Sequence, residues 1–160
     1  MPTLEFTVEL DAPLKEVWDF HDTIETLFRL TPPDTRMQLE GEPEPMRVGV
    51  VYKLRMRRWG IVPLAWDAEI IAYEPPCRFV DRQIPGKGPF RSWEHQHEFT
   101  AISRSRTRLT DRVTYEMPFG WLGKLADRIF VRRDIERMFA HRHRVTREAL
   151  TGTASLLSER

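Results

Sequence analysis

Between Met37 and Met117 the apolar residues fall on every second position. Val50, Tyr52, Leu54 and Met56 alternate with Val51, Lys53, Arg55 and Arg57, and Leu64, Trp66, Ala68, Ile70 and Ala72 share one parity while Asp67 and Glu69 hold the other. A period of two sends successive side chains to opposite faces, so each segment reads as a strand with one dry and one wet face. Met37 and Leu39 mark a further short strand, and residues 77–84, 91–99 and 106–117 add three more. Breaks fall where turn formers cluster: residues 41–45, Gly60, Pro75-Pro76, the run Pro85-Gly86-Lys87-Gly88-Pro89, and residues 103–105. Leu4, Phe6, Val8 and Leu10 repeat the alternation at the start of the chain. A sheet of about seven antiparallel strands with one apolar face results, and that face must be covered.

Only helices remain to cover it. Asp11-Ala12-Pro13 stops the first strand and opens a short helix carrying Leu14, Val17 and Trp18. Asp22, with Glu25 three residues on, has the form of a capping box for a second short helix bearing Ile24, Leu27 and Phe28, which Thr31-Pro32-Pro33 ends. After Pro118-Phe119-Gly120 a long helix follows, with Leu122, Leu125, Ile129, Met138, Phe139 and Val145 as its apolar stripe and Arg132-Arg133 interrupting the middle. Gly152 is the expected stop, after Leu150 or Thr151, leaving 153–160 as a C-terminal tail. The fold class is therefore α+β: one domain over residues 1–152, a curved antiparallel sheet around a long C-terminal helix, with two short helices after the first strand. A curved sheet facing a single helix leaves room for a cavity between them.

Composition narrows the partners. The chain has 160 residues with 25 basic and 24 acidic side chains, a net charge of +1. No field for nucleic acid or acidic lipid follows from that balance, and no nucleic-acid partner is expected. The basic run from Arg132-Arg133 to Arg147 includes Asp134 and Glu136, as a solvated helix face does. A single cysteine, Cys77, excludes a disulfide within the chain and a cysteine-rich metal site. No apolar run reaches membrane-spanning length, and the opening residues lack the pattern of a secretory signal. A cytoplasmic protein without stable membrane insertion and without a cofactor is expected; the oligomeric state is open.

The stretch RSWEHQHEF, residues 91–99, raises the question of function. Trp93, His95, His97 and Phe99 share one parity. With a short turn at 103–105, Phe99 lies opposite Leu109, His97 opposite Asp111, His95 opposite Val113 and Trp93 opposite Tyr115. On the other face Gln96 meets Arg112 and Glu98 meets Thr110. Both strands then agree on which side is wet, and a one-residue slip would invert one of them. Imidazoles and a carboxylate thus point into an apolar interior. Asp81 and Gln83, in parity with Phe79, can join them from the neighbouring strand, and Arg142 from the long helix. His97 is the cross-strand partner expected for Asp111, since a buried carboxylate needs one.

Three readings stay open for these groups. They form a self-satisfied polar cluster; they orient a ligand; or His97 and Asp111, with Tyr115 as donor, move protons in catalysis. His-x-His on a strand is also a metal-ligand geometry, with Asp111 as a third ligand, but no other spacing accompanies it and no metal is expected. Trp66 and Trp93, mid-sheet on inward faces, are the aromatic candidates for ligand contact, and Phe139 extends that surface on the helix.

The element order, the entry Ala12-Pro13 with Glu16-Val17-Trp18, and the second half of the chain resemble the START/Bet v1-like superfamily, also known as the polyketide cyclase/dehydrase or SRPBCC group. The later match runs through Phe79, Asp81, Gln83, Gly88-Pro89-Phe90, Trp93, His95, His97 and Phe99, then Thr107, Leu109, Asp111, Val113, Tyr115 and Pro118-Phe119-Gly120. It is similar to a bacterial subgroup of ligand-binding domains. The resemblance implies a helix-grip fold and an internal pocket for a hydrophobic small molecule, lipid- or polyketide-like. Superfamily members bind lipids, sterols, polyketides or plant hormones, and a minority catalyse cyclisation or dehydration of aromatic polyketides. It also implies that Leu27 and Phe28 border the pocket entrance. A domain kept only as an interaction module is the third possibility.

Overall fold

The structure is a computed structural model describing residues 1–58 and 61–158, with side chains described through residue 151. Strand β1 (Thr3–Leu10) is followed by helices α1 (Leu14–His21) and α2 (Ile24–Arg29). Strands β2 (Thr35–Glu40), β3 (Val51–Arg58), β4 (Val62–Glu74), β5 (Arg78–Gln83), β6 (Ser92–Ser103) and β7 (Arg106–Glu116) form the rest of one antiparallel sheet, in the order β1-β7-β6-β5-β4-β3-β2. The C-terminal helical segment comprises α3 (Gly120–Ala126), a π-helical turn (Asp127–Val131) and α4 (Arg132–Ser158). The hairpin expected at Gly60 lies outside the described residues.

The strands obey their alternation. Leu4, Val8 and Leu10 are buried, while Glu5 and Glu9 face outward beside Arg112, Arg106 and Arg108 of β7. Those exposed pairs each contribute at most about 1 kcal/mol, so the buried face sets the register. Strands β6 and β7 pair as expected: Phe99 with Leu109, His97 with Asp111, His95 with Val113 and Trp93 with Tyr115.

Four local expectations are corrected. A bulge between Ile70 and Ala72 shifts the β4 register, so Tyr73 rather than Ala72 continues the inward parity. Tyr73 then donates its hydroxyl proton to Asp22, at 2.8 and 3.0 Å to the two carboxylate oxygens. With Asp22 so engaged, α2 is capped instead by Thr23, whose side chain accepts from the Thr26 amide at 3.4 Å. The apolar stripe of the C-terminal segment also moves. Leu122, Leu125 and Ile129 are exposed, and the buried positions of α4 are Ile135, Phe139, Thr146 and Leu150. A π turn inserts a residue into the helical repeat and rotates the faces on either side of it. Nor does Gly152 stop the helix, which continues to Ser158. Glycine inside a helix costs only about 1 kcal/mol and ends it only when it turns left-handed.

Three apolar clusters hold the layers together. One joins Leu10, Trp18, Phe99, Leu109 and Leu150; a second joins Trp93, Val113, Tyr115, Ile135 and Phe139; a third joins Ile24, Tyr52, Leu54 and Ile70. Helix α4 packs its backbone against the sheet at β1. Away from that edge the clusters do not close over one another, and a cavity of about 750 Å³ borders all three.

Candidate functional site

The cavity wall is mostly apolar. Leu54, Ile70, Trp66 and Trp93 contribute from the sheet, Leu27 and Leu30 from α2 and the residue after it, and Ile135 and Met138 from α4. Trp66 and Trp93 meet edge to face with ring centroids 5.1 Å apart, and Phe90 packs against both. Leu27 reaches the cavity as expected, whereas Phe28 faces a separate shallow groove beside Met37 and Leu39.

One wall is polar, and it is built around Asp111. Alternation on β7 turns this carboxylate inward, and α4 covers it, leaving it buried. His95 Nε2 donates to Oδ1 at 2.9 Å and His143 Nε2 to Oδ2 at 2.6 Å. His97 Nδ1 stands 2.9 Å from Oδ1 without hydrogen-bond alignment, so its attraction to Asp111 is chiefly electrostatic. His97, expected as the partner of Asp111, is therefore one of three imidazoles around it. Burial alone would raise the Asp111 pKa, but the contacts from His143, His95 and His97 outweigh it and hold the carboxyl well below its usual range.

The two strand histidines respond in opposite directions. Burial, then the neighbouring His97, pushes His95 down despite Asp111 and Asp81. His97 is opposed most strongly by burial, yet Asp111 and Asp81 together raise it. Asp81 sits across the β5–β6 ladder from His95, with Oδ1 3.6 Å from His95 Nδ1 and 3.5 Å from His97 Nε2. The His95 and His97 rings are 3.8 Å apart, and His97 stacks on Phe79 at 4.0 Å. Arg142 completes the wall from α4. Its guanidinium lies over the Phe139 ring at 5.4 Å, its Nε has no hydrogen-bond partner, and burial lowers its pKa. Among the described residues no carboxylate forms an ion pair with it.

Of the residues singled out from sequence, Trp66, Asp81, Trp93, His95, His97, Asp111 and Arg142 all line the cavity. Gln83, Tyr115 and Phe139 do not, and each has a structural reason. Gln83 donates to the Phe90 carbonyl at 2.7 Å and accepts from the Phe90 amide at 3.2 Å, bracing the turn that carries Phe90 to the cavity. Tyr115 is fully buried and donates to Asp127 Oδ1 at 2.6 Å, tying the sheet to the π turn. Phe139 stacks on Phe6 at 4.5 Å inside the second cluster. Three further histidines, His21, His141 and His143, line the cavity without having stood out in the sequence. His143 is embedded in a basic run, although it lies four residues beyond Phe139 on the same helix face. His21 continues the stripe of Leu14, Val17 and Trp18 by one more step of three, and that spacing is the signal that points to it.

Residues 1–145 match the family described as polyketide cyclase / dehydrase and lipid transport. The chain belongs to this family. Solved structures with the same fold include protein CV1439 from Chromobacterium violaceum, at 14% identity and a TM-score of 0.73, covering 92% of this chain and 96% of that one. Protein Ms6760 from Mycobacterium smegmatis follows at 19% identity and a TM-score of 0.69, covering 94% and 92%. Ara h 8.0201 is similar at 12% identity and a TM-score of 0.69, covering 94% and 98%. No curated protein matches the sequence. At these identities the structural likenesses establish the helix-grip fold of the family. Among the described residues no helix is long and apolar enough to cross a membrane.

Proposed function

We propose that the chain binds a small hydrophobic or aromatic molecule, lipid- or polyketide-like, in the cavity between sheet and α4, with an oxygen-bearing group of that molecule turned toward Arg142 and the histidine cluster. The observation that carries the reading is the cavity itself: about 750 Å³, lined by many apolar side chains, with Arg142 and the histidine cluster converging on one part of its wall. Apolar walls give affinity and a few convergent polar groups give orientation. The Arg142 cation lacks an ion-pair partner among the described residues, and a half-buried charge favours a ligand that brings one.

A thermal-shift panel of fatty acids, aromatic polyketides and hydrophobic amines tests this. Ligands that bind only the folded chain raise its melting temperature saturably, by about 2.7 kcal/mol of stability at a hundredfold excess over Kd. Acids and polyketones are expected to stabilise more than amines. Trp66→Ala is expected to weaken every ligand, and Arg142→Ala to erase the preference for oxygen-bearing ones. No saturable shift from any compound, together with no small molecule retained in native mass spectrometry of fresh protein, rejects the proposal.

A second reading, a cyclase or dehydratase acting on a polyketide, is favoured by one observation: His97 faces the cavity with Asp111 close behind it. The family description spans both readings. Tyr115 is turned away toward Asp127, so the donor in such a reaction would have to be another group. Turnover of a reactive polyketone that disappears in His97→Ala while affinity persists is its signature. A ligand that binds tightly and returns unchanged argues for the binder.

A further inference from the structure

We propose that Asp81, His95 and His97 bind a divalent transition metal ion of the zinc class at the cavity wall, with Asp111 as the buried carboxylate that orients the imidazoles from behind. From sequence, Asp111 is the one carboxylate that could stand as a third ligand beside His-x-His, and no metal is expected. The fold supplies a different carboxylate, and the two aspartates have separate roles.

The donors converge. One donor atom from each of Asp81, His95 and His97 lies within 4.8 Å of the other two. Asp81 Oδ1 stands 3.6 Å from His95 Nδ1 and 3.5 Å from His97 Nε2. Neither contact has the length and alignment of a good hydrogen bond. Two tetrahedral donors, each about 2.0–2.2 Å from a zinc ion, are separated by roughly 3.3–3.6 Å. The two separations from Asp81 therefore suit an ion between the donors better than a proton, and the two imidazole nitrogens lie no more than 4.8 Å apart.

The right nitrogens also remain available. His95 Nε2 is bonded to Asp111, and His97 Nδ1 lies 2.9 Å from the same oxygen. The opposite nitrogen of each ring, the one turned to Asp81, is left for a metal. A carboxylate on the far nitrogen of a ligating histidine fixes the ring and makes it a better donor. The backbone beneath them is rigid. His95 and His97 are on one face of β6, and Asp81 is registered opposite His95 on β5, so all three donors rest on a ladder rather than a loop. Donor chemistry sets the class of ion: two imidazoles and one carboxylate favour zinc, cobalt or iron over magnesium or calcium. Arg142 is the competing cation at this wall. Asp81 and Asp111 together give two carboxylates against it. All three ligands line the cavity, so a further coordination position opens inward.

Metal binding here does not depend on the organic ligand proposed above, because it is read with metal alone; either can fail while the other stands. The test is titration of chelator-stripped protein with Co²⁺, followed by its visible absorption, with Zn²⁺ as competitor. One equivalent per chain is expected, displaced by Zn²⁺ and not by Mg²⁺. Asp81→Asn and His97→Gln should each weaken binding at least tenfold, and Asp111→Asn by about 10- to 100-fold. Cys77→Ser, at an exposed thiol outside the cavity, should leave binding unchanged. Substoichiometric uptake, or uptake that survives Asp81→Asn, overturns the site. Circular dichroism checks that each variant folds. Zinc-edge X-ray absorption of the wild-type protein decides the matter without any variant: a first shell with two imidazoles is expected, and a shell without imidazole scattering overturns the proposal.

Discussion

His21 is buried with its Nδ1 2.7 Å from the Val17 carbonyl, and the fold accepts it as a neutral ring. Burial lowers its pKa from 6.5 to about 4; the Val17 carbonyl and Asp111 work against that shift, while His97 and His143 add to it. Because the folded value lies below the unfolded one, the unfolded chain holds the extra proton between pH 6.5 and 4. Stability from this residue is complete above that window and declines as pH falls through it, by about 3 kcal/mol in all. Urea midpoints at pH 7 and pH 4.5 are expected to separate more in the wild type than in His21→Gln; equal separations contradict the assignment. Phe139, with no exposed surface and stacked on Phe6, is expected to cost about 3–5 kcal/mol as Phe139→Ala, read from the same melts. At this scale the sequence disclosed parity and little more. Alternation alone showed that His95, His97 and Asp111 point inward. It could not show that Asp111 would be shared by a histidine 32 residues further on, because that contact depends on the rotation of α4.

Elements explain where that rotation came from. The stripe drawn through Leu122, Leu125 and Ile129 assumes an unbroken 3.6-residue repeat, and the π turn at Asp127–Val131 breaks it. A bulge in β4 did the same to a period of two, exchanging Ala72 for Tyr73. Both are single-residue insertions, and a periodic pattern has no way to announce them. The turn at residues 85–89 was legible as a turn, but its brace was not. Gln83 fills the space beside Gly88, where an added Cβ would lie 2.0 Å from the Gln83 side-chain oxygen. Gly88→Ala is therefore expected to lower the melting temperature, and less so in a Gln83→Ala background. Additive effects of the two substitutions in a double-mutant cycle would show that they do not meet.

For the whole molecule, the C-terminal segment is joined to the sheet by side chains as well as by apolar packing. Arg58 of β3 pairs with Asp134, Asp111 of β7 accepts from His143, and Tyr115 of β7 donates to Asp127. A hydrogen bond to a charged group is worth about 1.5–3 kcal/mol, and His143→Ala is expected to lose an amount of that size. Hydrogen exchange along α4 should rise in that variant; protection equal to the wild type would show that the bond does not anchor the helix. By contrast Phe119, Trp121 and Phe130 stand largely exposed on the same segment. Trp121→Ser is expected to change stability by no more than about 0.5 kcal/mol in a denaturant titration.

The triad of imidazoles on Asp111 also has a mechanical meaning. It is a strut between two walls, one end on the strands and the other on the terminal helix. A hollow with greasy sides tends to shrink when nothing fills it, and a fixed polar post of this kind resists that closure. A guest of the kind proposed above would then enter a room that is already standing, and the free energy of entry would not be spent on raising the roof.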